Sequence, residues 1–211
     1  VEVVVNATYT IEAYTMLGSQ RSEVVKAIYT VPGSSLSGKQ VFYLVEDDAE
    51  LKAGMDFLIV CEAKEVALSA SQNNYRTCAE VVPENGLITT EVNAEDMPRA
   101  LVLGGGAGAW TFYDGVEVCY LALTGSENKL HNLNSADSKD AQWSISISAS
   151  GLATLTNNAR SDRSIQYNAS SPRFACYKSK QQPVSIYAKK STVGLEKSPT
   201  IIPSSPVMVY S

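Results

Sequence analysis

Residues 143–190 read WSISISASGLATLTNNARSDRSIQYNASSPRFACYKSKQQPVSIYAKK, and their rhythm decides the fold. Apolar residues alternate with polar ones at Trp143, Ile145 and Ile147, and the pattern breaks at Gly151. It resumes over residues 152–155, then returns through Ile165 and Tyr167, residues 174–177 and residues 184–187. Successive strand side chains point to opposite faces, so period-two runs cut by Gly, Asn, Ser and Pro specify short antiparallel strands joined by tight turns.

Working outward, the same grammar covers residues 40–142. VFYLV (41–45) and the continuous apolar run in MDFLIVCEA (55–63) are expected strands, the second buried. Between them, the acidic residues 46–50 followed by Gly54 predict one helical turn closed by a glycine cap. Residues 75–82, 87–92 and 100–103 are further expected strands, and Pro83-Glu84-Asn85-Gly86 is a strong turn signal. Gly104-Gly105-Gly106-Ala107-Gly108 lacks the Lys-Ser/Thr of a phosphate loop, and the segment after it, TFYDGVEVCYLAL, reads strand, Asp114-Gly115 turn, strand. The glycine run is therefore expected to be a flexible hairpin loop.

The N-terminal 31 residues hold two or three strands, too few for a stable unit alone. Pro32-Gly33-Ser34-Ser35 opens a linker by composition. The expected organisation is closing strands of a sandwich over 1–31, a linker over 32–39, a β domain over 40–190, and a tail or terminal strand over 191–211. The class is all-β: an antiparallel barrel or trefoil-like or sandwich domain, preceded by a partial β-sandwich. Three segments, FLIVCEAKEVALSA, CYLALTGSENKLHN and SIQYNASSPRFACY, each place a strand, a small turn and a strand, as the units of a closed barrel or trefoil would.

Composition narrows the function classes. Hydrophobic content of 45% with 18% charged residues suits a folded chain. The net charge is −5 and the longest basic cluster is the pair Lys189–Lys190, which argues against nucleic acid as partner. No run of about twenty apolar residues is present to form a membrane-spanning helix. The four cysteines, Cys61, Cys78, Cys119 and Cys176, are widely spaced and accompany a single histidine, which disfavours zinc and leaves disulfides or buried thiols open. The chain opens VEVVVNATYT, without a basic and apolar leader, so either a signal segment has been removed or the chain is a piece of something longer.

TIEAYTMLGSQRSEVVKAIYTV, residues 10–31, resembles the closing hairpin of a chitobiase C-terminal-like, fibronectin-type sandwich. The phrase from Cys119 to Asn168 resembles the repeat of trefoil-type carbohydrate-binding modules. Residues 40–190, with Trp-x-Ile-x-Ile, Gly-x-Ala, Tyr-Asn, Arg-Phe-Ala-x-Tyr and a final Ile-Tyr, resemble a β-rich C-terminal module of exported and cell-surface Bacteroidetes proteins. These resemblances imply a secreted or cell-surface location and carry no catalytic residue.

Catalytic groups are scarce. His131 lies in the polar segment KLHNLNSADS with no nucleophile elbow in the chain, and the acidic groups at Asp47, Asp48 and Glu50, and at Glu91, Glu95 and Asp96, match no calcium loop. No cofactor, metal or catalytic residue is expected. Binding is expected from loop aromatics with polar neighbours: Trp110, Tyr113 and Asp114 after the glycine run, and Asn73, Asn74 and Tyr75 in the 71–75 loop. The leading expectation is a non-catalytic surface module acting through contacts with other surface proteins or copies of itself. The alternative is a carbohydrate-binding module.

Overall fold

The computed structural model describes residues 9–13, 16–17, 20–21, 25–29 and 38–189. The chain divides into two units at Gly38/Lys39. In the first, β1 (Tyr9–Ala13) pairs antiparallel with β4 (Val25–Tyr29), and β2 (Met16–Leu17) pairs with β3 (Gln20–Arg21). The expectations for residues 1–8 and for the tail 191–211 fall outside the described residues.

The second unit runs through β5 (Gln40–Leu44), β6 (Asp56–Cys61), β7 (Val66–Gln72), β8 (Tyr75–Glu80), β9 (Leu87–Thr90), β10 (Leu101–Gly106), β11 (Ala109–Asp114), β12 (Cys119–Ala122), β13 (His131–Leu133), β14 (Trp143–Ile147), β15 (Leu152–Asn157), β16 (Arg160–Asn168), β17 (Arg173–Tyr177) and β18 (Val184–Lys189). All pairings among its described residues are antiparallel. Strand β6 pairs with β10, β10 with β11, β11 with β14, β14 with β15, β15 with β18, and β18 returns to β6. This ring of six strands is a closed barrel, which leaves none of the six as a free edge. Three hairpins, β7–β8, β12–β13 and β16–β17, hang from it after β6, β11 and β15. A six-stranded barrel with three hairpins in this order is the β-trefoil arrangement, so the trefoil-like alternative of the all-β expectation is the one realised.

The barrel interior holds Phe57, Ile59, Leu101, Leu103, Phe112, Trp143, Leu155 and Ile186. Phe57 meets Phe112 edge-on at 5.3 Å, and Phe112 stacks on Trp143 at 5.4 Å. The indole of Trp143 donates to the Leu121 carbonyl at 3.1 Å, which satisfies its one polar atom inside the core. Strands β5 and β9 are additions to the trefoil. They pair with each other, and β5 pairs with β18. They cover the outside of the barrel with a second core of Phe42, Leu58, Val60, Ile88 and Tyr187. This explains the continuous apolar run of β6: Phe57 and Ile59 face the barrel interior while Leu58 and Val60 face the second core.

The expected three units correspond to the trefoil only in part. CYLALTGSENKLHN and SIQYNASSPRFACY span hairpin strands, but FLIVCEAKEVALSA spans β6–β7, one strand early, and the matching hairpin is residues 66–80. The glycine run is a correction. Gly104–Gly106 belong to β10, and the loop is Ala107-Gly108 alone. Gly105 has φ +74°, and a Cβ there would meet the Ala109 carbonyl oxygen at 2.2 Å, so the position admits glycine for close backbone approach. The predicted capped helical turn is a three-residue 3-10 turn, Asp48–Glu50, whose N-cap Asp47 accepts from the Ala49 amide. It closes on extended Leu51 rather than on Gly54. The turn expected at Asp114-Gly115 is present and runs over residues 115–118, between the end of β11 and the start of β12 at Cys119.

Candidate functional site

The three hairpins meet at one end of the barrel. The Leu130 amide donates to the Asn74 carbonyl, the Cys176 amide to the Lys129 carbonyl, and Arg76 pairs with Phe174. Arg76, Leu130 and Phe174, one from each hairpin, lie at these contacts, and all three are fully buried. Two are apolar, as a cap requires. Arg76 instead sends its guanidinium 2.5 Å from Asp114 Oδ2, 2.8 Å from Asn132 Oδ1, 3.4 Å from Glu117 and 3.5 Å from Cys119 Sγ.

Asp114 is also fully buried and lies 3.9 Å from Arg99 Nε. Its other oxygen accepts the Val116 and Glu117 amides, and Glu117 accepts from the Ser71 amide and the Asn132 side chain. Two arginines therefore face two carboxylates, which is the condition for burying charge at tolerable cost. The Nε atoms of Arg76 and Arg99 have no hydrogen-bond partner among the described residues. Burial pushes the Cys119 thiol above its ordinary value, against the pull of Arg76.

The six residues expected to bind are separated by this arrangement. Trp110 is 8% exposed, packed in the barrel core opposite Trp143. Asp114 is spent on Arg76 and the following turn. Asn73, at φ 57°, makes the β7–β8 turn, and Asn74 supplies its carbonyl to Leu130. Tyr75 donates its hydroxyl to Gln72, and its ring lies under the Arg173 guanidinium at 4.9 Å. Tyr113 alone of the β11 trio turns outward, because Phe112 before it and Asp114 after it point inward.

Tyr113 lies at the centre of a feature that the sequence did not reveal. It is directly opposite Tyr120 on β12 and Val102 on β10. Tyr120 in turn is opposite Leu133, and Val102 is opposite Asp56. The β18–β6 register, Ala188 against Phe57, sets Lys189 beside Asp56, and Nζ of Lys189 is 3.8 Å from the Asp56 carboxylate. Leu133, Tyr120, Tyr113, Val102, Asp56 and Lys189 thus form one row across the outer sheet, and each is half-buried. The tyrosine rings are tilted at 52° with centroids 5.1 Å apart. Neither of their hydroxyls has a hydrogen-bond partner among the described residues. The alternation in CYLAL hinted that Tyr120 points outward, but cross-strand register joins residues up to 133 positions apart and has no local signature.

His131 is a structural residue. Its Nδ1 accepts the Thr124 amide at 3.2 Å and lies 3.1 Å from the Thr124 hydroxyl, and burial pulls the imidazole below its ordinary value. The four cysteines are free thiols. Among the described residues no three His, Cys, Asp or Glu side chains are placed to share a metal ion, and no helix is long and apolar enough to cross a membrane.

No protein-family model matches the chain, and no curated protein matches it. Solved structures do. A GlcNAcα1-4Gal-releasing endo-β-galactosidase from Clostridium perfringens superposes with TM-score 0.51 at 11% identity over 64% of this chain and 33% of that one. A GH43 β-1,3-galactosidase gives TM-score 0.52 at 10% identity over 76% and 31%. The chain thus spans about a third of each enzyme. The designed three-fold symmetric protein ThreeFoil matches at TM-score 0.46 and 12% identity over 62% of this chain and 96% of that one. At such identities the likeness speaks for the all-β fold alone.

Proposed function

We propose that the trefoil unit is a non-catalytic carbohydrate-binding module of an exported or surface-displayed protein. The observation that carries the reading is the half-buried Tyr113–Tyr120 pair on the outer sheet, with tilted rings and unspent hydroxyls. Aromatic faces stack on the apolar faces of sugar rings, and flanking polar groups bond the equatorial and axial hydroxyls. A strand-borne ledge holds the rings without the ordering cost that a mobile loop would incur. The similarity of the fold to parts of two galactosidases makes β-linked galacto-oligosaccharides the first probes to use.

The test is titration of β-1,3- and β-1,4-linked galactotetraose by calorimetry against the parent, Tyr113→Ala and Tyr120→Ala. Each variant is expected to lose about tenfold in affinity, or ~1.4 kcal/mol, while keeping its melting temperature within a few degrees. Binding that survives both substitutions rules out the ledge. Trp110→Ala is not an informative variant, because it empties the core.

A second reading, docking of another protein, is favoured by one separate surface. Val41, Tyr43 and Leu87 stand together on the outer face of β5–β9, exposed by 40%, 39% and 38%, beside Val82 and a depression lined with Glu84, Asn85 and Thr89. Exposed apolar clusters of this kind mark contact surfaces.

A further inference from the structure

We infer that the ledge takes a neutral oligosaccharide running across the strands, held by its ring faces at Tyr113–Tyr120 and by a pair of hydroxyls at Asp56–Lys189. The inference rests on the carbohydrate reading above and adds the direction, minimum length and charge class of the ligand.

Direction follows from register. Tyr113, Val102, Asp56 and Lys189 are successive cross-strand neighbours, so the row is perpendicular to the chain and continuous over β11, β10, β6 and β18. Neighbouring strands lie about 4.8 Å apart, which puts Asp56 about 10 Å and Lys189 about 14 Å along the row from Tyr113. A single hexose stacked on one tyrosine cannot reach either charge. A chain of three or four sugars can touch both ends, passing over the low side chain of Val102 between them.

Charge class follows from the pair itself. Asp56 and Lys189 are 3.8 Å apart, too far for a hydrogen bond, with side chains 41% and 30% exposed. An exposed pair of this kind is held weakly, so both groups keep bonding capacity toward a ligand. Together they present an acceptor and a donor side by side, which matches neighbouring sugar hydroxyls that donate to the carboxylate and accept from the ammonium. A carboxylate-bearing sugar gains nothing from the pair as a whole, since it must draw Lys189 away from Asp56 and then sit beside the Asp56 carboxylate. Hydrogen bonds to charged groups are the stronger class, so each is expected to contribute roughly a factor of ten in affinity.

The experiment compares methyl β-galactoside, galactobiose, galactotetraose and a tetrasaccharide ending in a uronic acid, by calorimetry, on the full chain and on Asp56→Asn, Lys189→Gln and Tyr113→Ala. The inference expects the tetraose to bind at least tenfold more tightly than the methyl galactoside. Asp56→Asn and Lys189→Gln should each lower tetraose affinity by about tenfold and leave the methyl galactoside unchanged. On the parent the uronic-acid tetrasaccharide should bind more weakly than the neutral one, and Asp56→Asn should narrow that difference. If methyl galactoside and tetraose bind equally and the two charge variants are silent while Tyr113→Ala still abolishes binding, the inference fails and the carbohydrate reading stands. If none of the four probes binds the parent, both fall.

Discussion

The place of Arg76 in the hairpin cap makes a quantitative demand on the folded state. The buried residues beside it from the other two hairpins are Leu130 and Phe174, and its main partner, Asp114, resembles Asn157. Asp114 ends β11 and Asn157 ends β15. Both are fully buried, and each side-chain oxygen accepts the amide two residues on, from Val116 and Ala159 respectively. The trefoil therefore already holds a buried Leu among its hairpin contacts and an Asn at a strand end.

Arg76→Leu alone removes the cation 2.5 Å from a fully buried carboxylate and leaves Arg99, at 3.9 Å, as the remaining partner. Breaking one side of a buried ion pair costs about 3–5 kcal/mol, and the residual attraction of Arg99 places the expected loss near the lower bound. Asp114→Asn strands Arg76 in the same way, with Asn132 and Glu117 as partial substitutes. The double variant Arg76→Leu/Asp114→Asn has no buried unpaired charge in this pair and copies the two-thirds of the cap that is apolar. It is expected to be clearly more stable than either single variant, because replacing a buried pair by packed residues is often neutral, with a residual cost from Arg99, which is 7% exposed and loses the carboxylate 3.9 Å from its Nε. The coupling energy should therefore exceed about 2 kcal/mol.

Urea unfolding followed by the fluorescence of the core residues Trp110 and Trp143 measures all four states of the cycle. A single Arg76→Leu substitution as stable as the parent would refute the reasoning. A double variant no better than the worse single variant would refute it equally.

Three further outcomes are expected from backbone strain, proton uptake and thiol burial in this fold. Gly105→Ala should destabilise by roughly 1–3 kcal/mol, since φ is +74° and the new Cβ would meet a backbone oxygen at 2.2 Å; the urea midpoint reads this. His131 has a folded-state pKa below its ordinary 6.5. The unfolded chain therefore takes up the proton first, and stability present above pH 6.5 should fall as pH drops from there toward the lower folded value, with the slope lost in His131→Gln. Cys61, Cys119 and Cys176 are buried with thiols raised by desolvation, whereas Cys78 is partly exposed. A disulfide reagent should thus modify Cys78 first, and the other three only on unfolding.

Alternation and punctuation in the sequence established strand identity well, because burial on one sheet face imposes a period of two that no long-range information can disguise. Residues 143–189 fold as β14 to β18 much as their pattern implies. Turn chemistry was legible where it is local: Asn85 and Gly86, both at positive φ, form the turn that Pro83-Glu84-Asn85-Gly86 announces. It failed at the glycine run, where the need for glycine comes from the Ala109 carbonyl across the hairpin; the turn after Asp114 was read correctly, but its bringing Glu117 to Arg76 was not legible. The aromatic count pointed to binding, but composition could not tell Trp110, which fills the barrel, from Tyr113, one face over.

By itself, then, the sequence determined an all-β chain of short antiparallel strands, acidic overall and with a single histidine, because these are properties of local periodicity and composition. Barrel closure, the extra cover of β5 and β9, the charged hairpin cap, and the row from Leu133 to Lys189 were decided only by tertiary structure. Each depends on which strand lies beside which and in what register, and a shift of one residue would turn Tyr113 and Tyr120 inward and Asp56 away from Lys189.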